Sequence, residues 1–271
     1  DWGVEKQPIF DNMFQPVKGF SRIVREDNQD TLHVCKSSYE PINHADIFGV
    51  LDDVLGKEHA QVETVGCLND GKLLMLQAKM PESFEVLRGD QMNTYLTAIT
   101  SHDGTQLARI MFSATRLICQ NQMKALKAER TERSISIRHT KNANTKLINA
   151  GNVMMEGVTN WEAIKENASI LARKSVTRSE TKAFVEAMFP APVEMDKRDN
   201  NAKKRELMFE LLETGMGTEI QGVRGTAWHL YNAATEMEQH HSTTRNNSSR
   251  FSRTLLKGDA SRDRAFELAM A

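Results

Sequence analysis

The sequence predicts an α+β fold, with antiparallel hairpins first and helices after. Three observations carry this. Two Asp-Gly turns, Asp70-Gly71 and Asp103-Gly104, each separate two runs of strand length, and Asp-Gly accepts the positive φ that tight hairpin turns demand. From about Lys141 onward the apolar residues recur at the helical period. Strands in one run and helices in another favour α+β over a doubly wound sheet, in which they would alternate.

In chain order, residues 1–19 show no clear period and read as an extended arm. Phe20–Arg25 and Thr31–Cys35 flank a polar turn and predict a hairpin. Asn43 or His44 can start a helix carried by Ile47, Phe48, Val50, Leu51, Val54 and Leu55, with Gly56 to stop it. Gln61–Leu68 with Lys72–Met80, and Thr94–Ser101 with Gln106–Ser113, are the two Asp-Gly hairpins. A helix is expected from about Arg116 to Arg133, with Cys119, Met123 and Leu126 as its apolar stripe. Further helices are expected at Asn142–Met155, Asn160–Lys174, Arg178–Met188, Lys197–Glu213, Thr226–Gln239 and Ala260–Ala269. Pro190 and Pro192 break the run, because proline lacks an amide donor and clashes inside a helix. Ser242–Arg253 is polar and basic and reads as a loop. This gives an α+β region over 1–140 and a helical region over 141–271, either two domains or two parts packed as one unit.

Composition narrows the function class. With 39% hydrophobic and 26% charged residues the chain is too apolar to be wholly disordered. No run approaches the ~18 apolar residues of a membrane span. Cys35, Cys67 and Cys119 are odd in number and far apart, which argues against a disulfide framework and for packing in the core of a protein from a reducing compartment. No signal peptide is visible, and the first residue is Asp1 rather than Met, which leaves room for residues upstream.

The usual catalytic signatures are missing. There is no G-x-x-x-x-G-K-[ST] phosphate loop, no H-E-x-x-H or C-x-x-C metal spacing, and no G-x-S-x-G nucleophile elbow. No catalytic residue, metal ligand or cofactor site is therefore expected. Gly215-Met216-Gly217 is too sparse to cradle a phosphate and reads as a plain loop. His102-Asp103 could in principle be a base and its orienting carboxylate, but neighbours on a strand face opposite ways and Asp-Gly already has a turn role. His240-His241 suits a helix C-terminus through the macrodipole alone. Glu63, Glu58 and Asp90 have no obvious carboxylate partner in sequence.

Charge is the informative feature. The formal net charge of -1 hides an asymmetry: residues 1–100 carry 9 Lys+Arg against 16 Asp+Glu, residues 101–150 carry 9 against 3, and the remainder is balanced. Arg116, Lys124, Lys127, Arg130, Arg133, Arg138, Lys141 and Lys146 place eight cations in 31 residues, opposed only by Glu129 and Glu132. Such clusters are rewarded by phosphate backbones through counterion release. His139, with Thr140, Asn142 and Asn144, adds short hydrogen-bonding groups suited to phosphate oxygens. No aromatic residue lies between Ser113 and Thr159, so base stacking is not expected from this segment.

An ordered set of motifs is similar to a known family. Glu63-Thr64-Val65-Gly66, Ser101-His102-Asp103-Gly104-Thr105, Arg116-Leu117-Ile118-Cys119-Gln120-Asn121, Ile137-Arg138-His139-Thr140 and Thr226-Ala227-Trp228 resemble the phage/plasmid-like proteins grouped as domain of unknown function 932. Gln122-Met123 departs from the Thr-Leu of that pattern, keeping the apolar position and losing a hydroxyl. The resemblance implies a gene of a phage, plasmid or related element and a site of action in the cytoplasm of a bacterial host, without implying an activity. A helix, a hairpin, more strands and then a basic helix is also similar, at fold level, to the β-β-β-α core of phage-type single-strand annealing proteins.

The expectation is a non-enzymatic DNA-binding protein of a mobile element. It would bind single-stranded DNA along the nine residues Arg116, Lys124, Lys127, Arg130, Arg133, Arg138, His139, Lys141 and Lys146, and promote strand annealing in recombination as a homo-oligomeric ring or filament. One alternative is an interaction protein modulating a host defence or replication factor, or another phage protein. Another is an enzyme acting on nucleic acid or nucleotide through His102 and Asp103, perhaps with Glu63.

Overall fold

The computed structural model describes residues 2–49, 56, 60–116, 122–124, 134–156, 160–194, 197–241 and 260–271. The class is α+β: two antiparallel sheets precede a mostly helical C-terminal half. The first sheet is β1 (Val4–Phe10), β2 (Pro16–Arg25) and β3 (Thr31–Lys36), in that order. The second runs β4 (Gln61–Leu68), β5 (Leu73–Glu85), β6 (Gln91–Ser101), β7 (Ala108–Arg116) and β8 (Gln122–Lys124), with β9 (Ser134–Ile137) also on β7. The helices are α1 (Ala143–Glu156), α2 (Asn160–Arg173), α3 (Arg178–Met188), α4 (Ala202–Thr214), α5 (Ala227–Glu236) and α6 (Ala260–Met270). Residues 44–49 are also helical. Among the described residues no helix is long and apolar enough to cross a membrane.

Contacts divide the chain into two units that no single cut separates. One takes Asp1–Glu82, Thr94–Ser113 and Ala128–Trp161; the other takes Ser83–Asn93, Ala114–Lys127 and Glu162–Ala271.

In the first unit the small sheet buries Val4, Ile23, Leu32 and Cys35, with Trp2 and Tyr39 packed against them. The expected hairpin of Phe20–Arg25 with Thr31–Cys35 is present, pairing Phe20 with Lys36 and Val24 with Thr31. The arm of residues 1–19 is more ordered than its irregular pattern suggests. It forms β1 and the start of β2, joined across Phe10 and Pro16. Every residue from Phe10 to Phe20 is exposed, so this hairpin stands clear of the core. Its tip is held by Asp11, whose Oδ1 accepts from the amides of Met13 and Gln15, and Phe14 adopts a φ of 61°.

The hairpin of β4 and β5 pairs Leu68 with Leu73, and its turn is sharp: Asn69, Asp70 and Gly71 all have positive φ, at 53°, 56° and 95°. β4 is the exposed edge, and Cys67 lies exposed on it rather than in the core. β6 is buried along nearly its whole length, as strands are when both faces are covered. β9 was not expected. Its Ser-Ile-Ser-Ile alternation pairs Ala108 with Ile137 and Met111 with Ser134. Phe112 on β7 meets Trp161 edge-on at 4.8 Å.

In the second unit α5 is buried at every position, so it is a central helix without a solvent-exposed face, and it buries polar His229, Asn232, Thr235 and Glu236 as well. Thr226 caps it by accepting from the His229 amide. α3 begins in a full capping box of Thr177 and Glu180. The helix expected from Lys197 starts instead at Ala202, because Asp199 turns back to accept from the Asn201 amide and pairs with Arg205. α5 passes into a π-helical turn, Met237–His241.

The basic helix expected from Arg116 to Arg133 is overturned where it is described. Arg116 closes β7, and Gln122–Lys124 is a strand beside β7. Sheet pairing there overrides a weak helical stripe. Residues 117–121 and 125–133 lie outside the described residues, as does the expected loop Ser242–Arg253.

Candidate functional site

Three of the expected cations are brought together. Arg138, Lys141 and Lys146 are exposed around the start of α1. A turn leads into that helix: Thr140 N donates to Arg138 O at 2.9 Å, and Ala143 N donates to Thr140 O at 2.7 Å. Exposed Thr140, Asn142 and Asn144 surround the same turn. The first turn of α1 has no acidic residue, and no Asp or Glu occurs from Arg133 to Met155. The positive end of the helix dipole therefore adds to three exposed side-chain charges that form no ion pair among the described residues, a combination that suits an anion.

The other expected residues go elsewhere or fall outside the description. Lys124 is in β8, in the second unit, and Lys127, Arg130 and Arg133 lie outside the described residues. His139 is corrected: it is 7% exposed, and its ring stacks on Tyr39 at 4.8 Å and 10°. Burial lowers its pKa, against the smaller opposing effect of the Glu40 and Gln106 backbone. A neutral, sequestered imidazole cannot serve a phosphate.

Arg116 is also corrected. Its side chain is 1% exposed and forms a two-pronged pair with Asp90, Nε to Oδ1 at 2.5 Å and Nη2 to Oδ2 at 2.8 Å. Nη1 donates to the Met216 carbonyl at 3.2 Å, and Trp228 Nε1 donates to Asp90 Oδ2 at 2.8 Å. This cluster lies within the second unit. Asp90 and Trp228 were missed as partners because they sit 26 and 138 positions from Arg116 and from Asp90 respectively, beyond any local spacing rule. Gly215-Met216-Gly217 is more than a plain loop, since it closes over this guanidinium.

The structure does not join His102 and Asp103 as a base and its orienting carboxylate. His102 is fully buried and its pKa is pushed down to about 3, first by desolvation and then by His44 and His139. Trp2 packs edge-on against both His44 and His102, at 4.9 and 5.8 Å, and the Arg25 guanidinium caps Trp2 at 4.1 Å. Asp103 turns away to accept from the Thr105 amide and hydroxyl. A base must reach the proton it removes, and His102 has no exposed surface. Glu63 lies exposed on the edge strand β4. Among the described residues no group of three or more His, Cys, Asp or Glu is placed to hold a metal ion.

A family model described as Domain of unknown function (DUF932) matches residues 31–257. No curated protein and no solved structure matches the chain.

Proposed function

The chain belongs to the family of the domain of unknown function (DUF932), and from that premise we propose that it is a non-enzymatic DNA-binding protein of a phage, plasmid or related element. It binds the phosphate backbone of single-stranded DNA and promotes strand annealing in recombination. The observation that carries this reading is the exposed group Arg138, Lys141 and Lys146 at the carboxylate-free start of α1. Lys124, Lys127, Arg130 and Arg133 extend the same basic run in sequence and are the next candidates for the phosphate track. The mobile-element origin and the annealing role rest on the motif resemblance and on the strand-then-helix order, an argument from likeness.

The test is a fluorescence-anisotropy titration of a labelled oligonucleotide, single-stranded and duplex, at low and moderate salt. The parent should bind the single strand in preference, with affinity falling steeply as salt rises. An R138E/K141E/K146E variant should fold as the parent does and bind about ten-fold more weakly or worse. Its salt slope should be shallower by about 2, since each single-strand phosphate contact contributes about 0.7. A folded variant with parental affinity, or a parent that binds neither form, overturns the reading and turns attention to protein partners.

A further inference from the structure

We propose that the solvent face of the first sheet is the base-stacking surface of the single-strand site, with a base on the Phe20 ring beside Val34 and its flanking phosphates on Lys36 and Arg22. The inference rests on the nucleic-acid reading above. It supplies what the basic segment lacks, since no aromatic residue lies between Ser113 and Thr159.

Strand register puts four side chains in one block. Phe20 pairs with Lys36, and Arg22 pairs with Val34. Opposite residues of an antiparallel pair share a face, as do residues two apart on a strand. Phe20, Arg22, Val34 and Lys36 therefore stand together, while Ser21, Ile23 and Cys35 alternate with them and are buried. Phe20 is 48% and Val34 56% exposed, and Lys36 is exposed between them and the strand end. An aromatic ring and a branched side chain thus lie open to solvent on a paired, ordered surface, each with a cation across from it.

Charge selects the occupant. Among the described residues the Lys36 ammonium has no partner, and Arg22 donates to neutral oxygens, Gln7 Oε1 at 2.8 Å and Thr31 Oγ1 at 3.3 Å. Neither charge is cancelled by a carboxylate. Glu5 stands one pair further along, opposite Val24, and is engaged by Gln7 Nε2. The centre of a protein interface is depleted of lysine. An exposed ring bounded by cations is instead the pattern of single-strand sites, where rings stack on bases and cations meet the phosphates. The same end of the sheet adjoins the cations before α1. Tyr39 N donates to Lys36 O at 2.9 Å, Glu40 N donates to His139 O at 3.2 Å, and the Tyr39 ring stacks on that of His139, the neighbour of Arg138. The Glu40 carboxylate is taken by Lys6. All these residues belong to the first unit, so the two cationic groups sit on neighbouring segments of one body.

The probes are a labelled oligothymidylate and an abasic strand of equal length, which keeps the phosphates and lacks the bases. Anisotropy titrations of the full chain compare the parent, F20A, F20Y and K36E, with circular dichroism to check each fold. The parent should bind oligothymidylate about five-fold or more tighter than the abasic strand, a comparison that needs no substitution. F20A should lose about five-fold or more on oligothymidylate, the scale of one base on one ring, and little on the abasic strand. Its salt slope should match the parent's, because a stacked base neutralises no phosphate. F20Y keeps a ring and should bind as the parent does. K36E should weaken both probes alike and make the salt slope shallower by about 0.7. Equal binding of the two probes by the parent, or a folded F20A or K36E that binds oligothymidylate as the parent does, overturns this surface. Salt-dependent binding by the parent would then still support the phosphate reading, whereas a parent that binds neither probe overturns both.

Discussion

Arg116 and Asp90 face each other inside the protein, with side-chain exposures of 1% and 0%, through two parallel hydrogen bonds. Trp228 and the Met216 carbonyl use further donors and acceptors of the pair. Planar guanidinium and carboxylate groups match in this geometry, which is why arginine rather than lysine suits it. The pair joins the turn after β5, the end of β7, the loop after α4 and the start of α5, all within one unit. A residue that composition assigns to a phosphate track is thus an internal tie.

Removing either member should therefore be costly. D90L and R116M should each lower the unfolding free energy by about 3–5 kcal/mol, because the survivor is a buried charge without its counterion. The double variant R116M/D90L should lose much less than the sum, keeping about 1 kcal/mol of penalty for the Trp228 donor. Urea unfolding of the four proteins measures the cycle, and additive losses would refute the coupling.

Gly217 lies over the same guanidinium with a φ of +82°. A Cβ there would stand 2.6 Å from Arg116 Nη2 and 2.7 Å from Nη1. The guanidinium cannot retreat, since Asp90 and Met216 hold it. G217A should therefore cost more than about 2 kcal/mol, from backbone strain and overlap together. Gly225 provides the control: its φ is +76°, but nothing lies within 4 Å of its added Cβ. G225A should cost only the conformational part, about 1 kcal/mol. Equal losses in thermal unfolding would show that the close approach is unimportant.

Legibility in the sequence followed the range of the interactions. The Asp-Gly hairpins and α3, whose bounds match Arg178–Met188, are set by local chemistry, a turn or a capping box with an apolar stripe. β9 alternates as a strand should but spans only four residues, too short to stand out. The expected helix from Arg116 failed because β7 and β8 pair there. Charge clustering singled out Arg138, Lys141 and Lys146, which are exposed in the structure, because cations on one short solvated stretch are near one another in sequence. It misplaced Arg116 and His139 because burial depends on distant residues such as Asp90 and Tyr39. The exposed arm left a signal that period alone does not register: five large apolar residues in a stretch without alternation.

The capping box of α3 should behave as a local device. Thr177 Oγ1 accepts from the Glu180 amide at 3.2 Å, and Glu180 Oε2 accepts from the Thr177 amide at 2.7 Å. T177A should destabilise the protein by about 1 kcal/mol. E180Q should be close to neutral, because glutamine can close the same box. Chemical unfolding distinguishes them, and an equal loss in both would mean that the charge of Glu180 matters more than the hydrogen bond.

Acid should unfold the protein above the range in which its carboxylates titrate. His102 is held neutral by burial, with a folded pKa of about 3 against an ordinary value of 6.5; His44 and His139 lower it further and Asp103 opposes them. Between those values the unfolded chain binds a proton that the folded chain refuses, so stability falls as pH falls. The slope is about 1.4 kcal/mol per pH unit for one such histidine, and His102 alone should remove about 2 kcal/mol between pH 6.5 and about pH 5. His44 and His139, and His229 in the other unit, are lowered by burial as well and act in the same direction. The depressed carboxyls of Asp27, Asp199 and Glu180 act oppositely placed on the scale, losing their contribution only near and below their ordinary carboxylate range. Urea midpoints at about pH 7.5, 6 and 5 should therefore decline steadily, and H102Q should decline less steeply by one proton's worth while keeping some slope from the other three. Midpoints that stay level to pH 5, or an H102Q slope equal to the parent's, would mean that these imidazoles take up protons freely in the folded state.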